Sequence, residues 1–123
     1  MRQLTKTEEE IMQIIWQLGR CTVSDIRNYM EAELDMKKPP HSSVSTIVRI
    51  LEDKKFLDHK AYGRTHEYFS LVAKETYSKS SLKKLVAGYF EGSMSNLVSF
   101  LVKEKDLSAQ ELNEMLEKLE EEE

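Results

Sequence analysis

Apolar residues recur along this chain first with a helical period, then with a strand-like one, then with a helical one again. Thr7 followed by Glu10 fits a capping box, and Glu8 to Glu10 suit the positive end of a helix. Ile11, Ile15 and Leu18 form one stripe, Ile14 and Trp16 widen it, and Gly19 is the expected stop. So wide a stripe predicts burial on more than one side, with Trp16 in the core. Cys21 opens a short extended piece, and Thr22 with Asp25 makes a second capping-box start. The segment VSDIRNYMEAEL then places Val23, Ile26, Tyr29, Met30 and Leu34 inward and Ser24, Arg27 and Asn28 outward.

The polar connection from Asp35 to Pro40 is longer than the three or four residues of a simple helix-turn-helix. Pro39 and Pro40 cannot continue a helix, so a new one begins after them. Val44, Ile47, Val48 and Leu51 share one of its faces, while Ser42, Ser45, Thr46 and Arg49 occupy the other. The period then changes. Phe56 to Tyr62 and Thr65 to Leu71 read as two short strands around Gly63-Arg64, and Lys60, Tyr62, Arg64 and His66 sit near the tip.

Beyond Val72 the pattern is helical to the end. Tyr77 to Phe90 carries Leu82, Leu85, Val86, Tyr89 and Phe90, with Gly88 and Gly92 bracketing its final turn. Met94 to Val102 aligns Leu97, Val98, Leu101 and Val102 on one stripe. A last helix starts at Asp106 or Ser108, where Ser108 and Glu111 form a third capping box, and Leu112, Met115, Leu116 and Leu119 recur along it. These helices carry more apolar surface than amphipathic pieces standing alone would, and a second copy would cover it.

The expected fold is therefore mainly α. It is a winged helix-turn-helix over residues 1–72 with a short β-hairpin wing, followed by a helical dimerisation region over 73–123. At 123 residues, 40% of them apolar, the chain is one domain or one small domain with an appended helical part. No apolar run approaches the roughly 18 residues that suggest a membrane span, and MRQLTKTEEE does not read as a signal peptide. The single Cys21 excludes an internal disulfide and suits a reducing compartment, so a cytoplasmic location without direct membrane binding is expected. The net charge of −4 is unevenly spread. Residues 1–72 hold eleven basic and eleven acidic side chains, while residues 73–123 hold seven and eleven, so the whole deficit lies in the second part. A neutral first part can still present a basic face.

Short hydroxyls and an arginine on an outer helix face suit base edges and phosphates in a major groove. The residues expected at DNA are Ser42, Ser43, Ser45, Thr46 and Arg49 on the third helix. Lys60, Tyr62, Arg64 and His66 on the wing, with Ser24 and Arg27 on the second helix, are expected at the backbone. The residues expected between two copies are Leu85, Tyr89, Phe90, Leu97, Val98, Leu101, Val102, Leu112, Met115, Leu116 and Leu119. An enzyme has little to stand on, because there is no Gly-rich phosphate loop, HExxH or nucleophile elbow. Two rivals remain. One is a protein-binding winged helix, which the neutral first part allows. The other is a metal-responsive one, in which His59 and His66 approach each other across the hairpin near Asp58 or Glu67. Histidines on a wing more often face solvent or phosphate, so no metal ligand and no cofactor is assigned.

Four stretches carry a resemblance: LTKTEEEIMQIIW at 4–16, STIVRILEDKKF at 45–56, LDHKAYGRTHEYFSLV at 57–72 and NLVSFLVKEKDLSAQEL at 96–112. Together they resemble the penicillinase-repressor (BlaI/MecI) family of bacterial transcriptional repressors, in order and spacing, over almost the whole chain. The resemblance implies a homodimer on a palindromic operator, with the third helix in the major groove and the wing on the backbone. It also implies relief of repression by cleavage in the dimerisation region, under control of a membrane sensor-transducer with metalloprotease character. By position that cleavage falls at Phe100-Leu101, where this sequence departs from the family's Asn-Phe pair. Ser45 is a second departure, since relatives can carry a basic residue there. The Cys-rich metal ligands that end a copper-responsive branch are absent from this sequence.

Overall fold

The computed structural model describes residues 2–104, 108, 110, 111, 113, 114, 117 and 118. It divides into two units, Met1–Lys74 and Glu75–Glu123. In the first, helix α1 (Lys6–Leu18) leads through a short strand β1 (Arg20–Cys21) to α2 (Val23–Ala32) and α3 (His41–Asp53). Strands β2 (Leu57–Tyr62) and β3 (Thr65–Ser70) form the wing. The sheet order is β1-β3-β2, all antiparallel, with Arg20 opposite Phe69 and Tyr62 opposite Thr65. This is the winged helix-turn-helix architecture, with one strand more than the expected hairpin. Cys21 was expected to be merely extended; its pairing partner lies 47 residues away and leaves no local trace.

Each helix starts for its own reason. Thr22 and Asp25 form the expected capping box of α2, the Asp25 amide donating to the Thr22 hydroxyl at 3.1 Å. At α1 the expected box is corrected. Thr5 is the N-cap, its hydroxyl accepting from the Glu8 amide at 3.2 Å while the Glu8 carboxylate accepts from the Thr5 amide at 2.9 Å. The earlier start turns Glu8 inward, where Lys54 meets it, and leaves Glu10 exposed. α3 follows Pro40 with no side-chain cap at all. Gly19 stops α1 as expected with φ +83, and Gly63 takes the φ of +63 that a primed hairpin turn needs at its first central position.

The core of the first unit gathers Ile11, Met12 and Ile15 of α1, Ile26 of α2, and Val44, Val48 and Leu51 of α3, closed by Phe56 and Leu57. Several inward assignments change, Tyr29 and Ile47 among them being only half-buried. Leu34 lies beyond the end of α2 and is 47% exposed. Leu18 is exposed, so α1 is less enclosed than its apolar width implied. Trp16 is only half-buried, because its indole N–H reaches out to donate to the Val72 carbonyl at 2.8 Å and the Ser70 hydroxyl at 3.1 Å. It ties the end of the wing to α1. Cys21 is fully buried, and that burial, with the charges of Asp25 and Glu67, pushes its thiol up to about 12. Such a thiol is protonated and shielded, hence inert.

Burial alone would raise the Glu8 carboxyl. The bond from Lys54, the Thr5 amide and the positive charge of Lys54 outweigh it, and Glu8 lies below its ordinary value of 4.5. A carboxylate depressed in the fold stabilises above its unfolded pKa, and that contribution is lost as pH falls through the folded value. Glu8→Gln should therefore cost about 1.5–3 kcal/mol at pH 7. Urea melts of wild type and variant should converge once the pH is well below the folded value of Glu8. A loss that stays the same as pH falls would mean that shape, not charge, is at stake.

The second unit holds α4 (Lys74–Tyr89), except for its first residue, and α5 (Met94–Lys103). α4 begins three residues before the expected Tyr77. Ser93 caps α5, accepting from the Asn96 amide at 3.2 Å, and the Phe90 and Phe100 rings meet at 5.6 Å. Tyr77 and Val86 are buried, whereas Leu85, Tyr89, Phe100 and Val102 are exposed. The Glu111 amide donates to the Ser108 hydroxyl, as the third capping box requires. Leu112, Met115, Leu116 and Leu119 lie outside the described residues.

Candidate nucleic-acid interface

An open cleft of about 520 Å³ runs between the start of α2, the outer face of α3 and the inner face of the wing. α3 reaches it with a stripe four or three residues apart, His41, Ser45, Arg49 and Glu52. Ser24 lines it from α2, and Arg64, Thr65 and His66 from the wing. Five of the residues expected at DNA thus meet around one cavity: Ser24, Ser45, Arg49, Arg64 and His66.

The other expected residues lie elsewhere. Ser42 and Ser43 are exposed on the first turn of α3. Thr46 is exposed too, but its hydroxyl donates to the Ser42 carbonyl at 2.8 Å within the helix. Arg27 does not project freely: its Nε donates to the Pro39 carbonyl at 2.8 Å and braces the connection ahead of α3. Lys60 and Tyr62 are two apart on β2, on the sheet face opposite the one His59 and Ala61 share, and the Lys60 ammonium sits 5.4 Å from the Tyr62 ring centroid. The wing is therefore two-sided, with Arg64 and His66 towards the cleft and Lys60 and Tyr62 away from it.

Several cleft residues were not singled out from the sequence, among them His41, Glu52 and Asp53. The four-and-three spacing of His41, Ser45, Arg49 and Glu52 was the signal that could have found the first two. His59 and His66 do approach across the hairpin, their rings stacked at 4.1 Å and 8° from parallel. Glu67, expected near them, instead pairs with Arg20 at 3.5 Å. It is Glu52 that bonds His59, through Nδ1. Burial, and then the charge of Glu52, raise the Tyr68 hydroxyl above its ordinary value against the pull of Arg49, so it stands as a neutral donor on the cleft floor.

Two guanidinium groups, two serine hydroxyls and imidazoles around one open cleft suit a polyanion's phosphates, while the exposed hydroxyls of α3 suit base edges. Glu52 and Asp53 offset part of that positive charge. Among the described residues no single helix is long and apolar enough to cross a membrane.

The sequence matches the family model described as penicillinase repressor over residues 4–121. It is 25% identical over 113 residues to the methicillin resistance regulatory protein MecI of Staphylococcus aureus (strain N315), covering 92% of this chain and 89% of that one. Against the penicillinase repressor of Bacillus licheniformis it is 22% identical over 119 residues, covering 97% and 91%. In structure it is similar to the solution structure of the DNA binding domain of the repressor BlaI, with a TM-score of 0.50, 20% identity, and coverage of 61% of this chain and 88% of that one.

Proposed function

Because the chain belongs to the penicillinase repressor family, whose members are transcriptional repressors and not enzymes, we propose that it acts as a homodimer on palindromic operator DNA. The observation that carries this reading is the shared cleft, bounded by Ser45 and Arg49 of α3 and by Arg64 of the wing. In the proposed complex α3 enters the major groove. Ser42, Ser43 and Ser45 meet base edges there, and Arg49 and Arg64 hold the flanking phosphates. Thr46 contributes through its methyl group, since its hydroxyl is engaged within the helix. Ser24, His66, Lys60 and Tyr62 add backbone contacts, and Arg27 acts by bracing the connection to α3.

Two copies pair through residues 73–119, so that each presents α3 to one half-site. Relief comes from cleavage at Phe100-Leu101 within α5, under control of a membrane sensor-transducer with metalloprotease character. Phe100 is 49% exposed, which supports access by a protease. The chain acts in the cytoplasm, where both DNA and the inner side of such a sensor are reached.

The test is binding to a fragment of the gene's own promoter, titrated across salt and protein concentration. A footprint with two-fold symmetry and a steep salt slope is expected. Arg64→Ala should weaken binding about evenly across sequences and reduce the salt slope by about one unit. Affinity and slope unchanged at every ionic strength would remove the wing from the interface. The balance of charge in residues 1–72, eleven basic against eleven acidic, favours a second reading as a protein-binding winged helix. No shift even at low salt would select it.

A further inference from the structure

Glu52 in the last turn of α3 and Asp58 and His59 at the base of the wing each offer one ligand atom, all within 4.8 Å of one another. We propose that these three side chains bind a Zn²⁺ ion that clips the recognition helix to the wing and strengthens operator binding. The second half of that statement rests on the DNA-binding reading; the ion site does not.

One imidazole and two carboxylates, with a fourth position open to water, is a donor set that suits Zn²⁺ among the common divalent ions. The imidazole is held in place before any ion arrives. His66 stacks on one face of the His59 ring at 4.1 Å, and Tyr68 flanks it with ring centroids 5.6 Å apart, which aims Nδ1 at Glu52. Glu52 and His59 are each about 30% exposed, partly shielded yet open to an entering ion. Asp58 turns back on the same spot, its Oδ1 accepting from the His59 amide at 2.8 Å. Ligands at about 2.1 Å from a tetrahedral Zn²⁺ stand about 3.4 Å apart. The Glu52–His59 contact must therefore widen, within reach of rotation about the Glu52 side chain. The ion takes the place of the hydrogen those two groups share.

The consequence for DNA follows from charge. Glu52 lines the same cleft as Arg49 and Arg64, where its carboxylate repels the phosphates those arginines attract. Zn²⁺ offsets both carboxylates of the site and fixes the distance between helix end and wing. Promoter affinity should rise about fivefold at physiological ionic strength, where screening limits the gain.

The untagged full chain would be titrated with Co²⁺, whose visible ligand-field absorption reports coordination, and then with Zn²⁺ as competitor. One Co²⁺ per chain should bind at micromolar concentration and be displaced by Zn²⁺. Glu52→Gln and His59→Ala should each weaken it by about tenfold or more, by analogy with the loss of ligand-supporting groups. His41→Ala, which changes a cleft histidine outside the set, should not. Glu52→Gln keeps the side chain's shape, so it decides the matter if His59→Ala does not fold. Gel shifts with and without Zn²⁺ should show tighter promoter binding for wild type and a Zn²⁺-insensitive affinity for Glu52→Gln. Absence of saturable Co²⁺ absorption, or binding retained in both variants, overturns the site. A bound ion that leaves wild-type promoter affinity unchanged overturns its role on DNA. If no promoter binding occurs under any condition, the DNA reading falls and the optical titration alone judges the ion site.

Discussion

If two copies pair as proposed, Leu101→Asp should leave the chain monomeric at micromolar concentration and lower operator affinity by about 10²–10⁴, the range lost when linked binding events are separated. α5 reads MSNLVSFLVK, yet none of its residues is fully buried. Leu85 and Tyr89 of α4 are 45% and 80% exposed, and Val102 of α5 is 39% exposed. Large apolar side chains left exposed on both helices of one unit support the proposed pairing, and a two-fold dimer is the commonest such arrangement. A carboxylate placed there would have to be buried without a partner. Because Leu101 is in the second unit, the melting of the first should be unaffected. Sedimentation equilibrium checks the assembly and gel shift the affinity. An intact dimer in this variant would move the interface off α5.

Phe56→Ala attacks the other unit. Phe56 is 1% exposed and links α3 to β2: its amide donates to the Leu51 carbonyl at 3.0 Å, and its carbonyl accepts from the Leu71 amide at 2.8 Å. Removing a buried phenyl ring costs about 3–5 kcal/mol, out of the 5–15 typical of a whole domain. For a unit of this size that lowers the melting temperature by at least about 12 °C. The smaller truncation Phe56→Leu, which keeps a branched apolar side chain in the site, should cost less than the alanine change. Thermal melts followed by circular dichroism decide between them. A loss below about 1 kcal/mol for the alanine variant would mean that the ring does not hold the wing to the helices.

What the amino-acid order made legible was whatever depends on near neighbours. The Val44, Val48 and Leu51 stripe, the Thr22–Asp25 box, the Gly19 stop and the Gly63 turn are each set within a few residues. The two overlapping capping signals, Thr5 with Glu8 and Thr7 with Glu10, fit α1 equally well in local terms. The choice between them is made by Lys54, 46 residues from Glu8. β1 escaped for the same reason, since a two-residue strand has no alternation and exists only through Phe69 and Tyr68. Trp16 looked like core because periodicity counts its ring and ignores its N–H, which draws it towards Val72. At the cleft, residue types were readable but not sides. Strand alternation separates Lys60 and Tyr62 from His66 only once the register across Gly63 is fixed. Arg27 carried the right charge for a backbone contact, yet what it holds is Pro39.

α1 and α2 each begin with a reciprocal side-chain cap, but α3 begins at Pro40 with none, and Ser42 and Ser43 behind it lie exposed. Folding asks nothing of those two hydroxyls. A lineage could therefore exchange them one at a time, each step leaving the core and the wing intact, and drift from one target sequence to another without passing through a form that fails to fold. In the proposed complex, the residues that recognise and the residues that hold the shape are separate letters of the same chain, free to change at different rates.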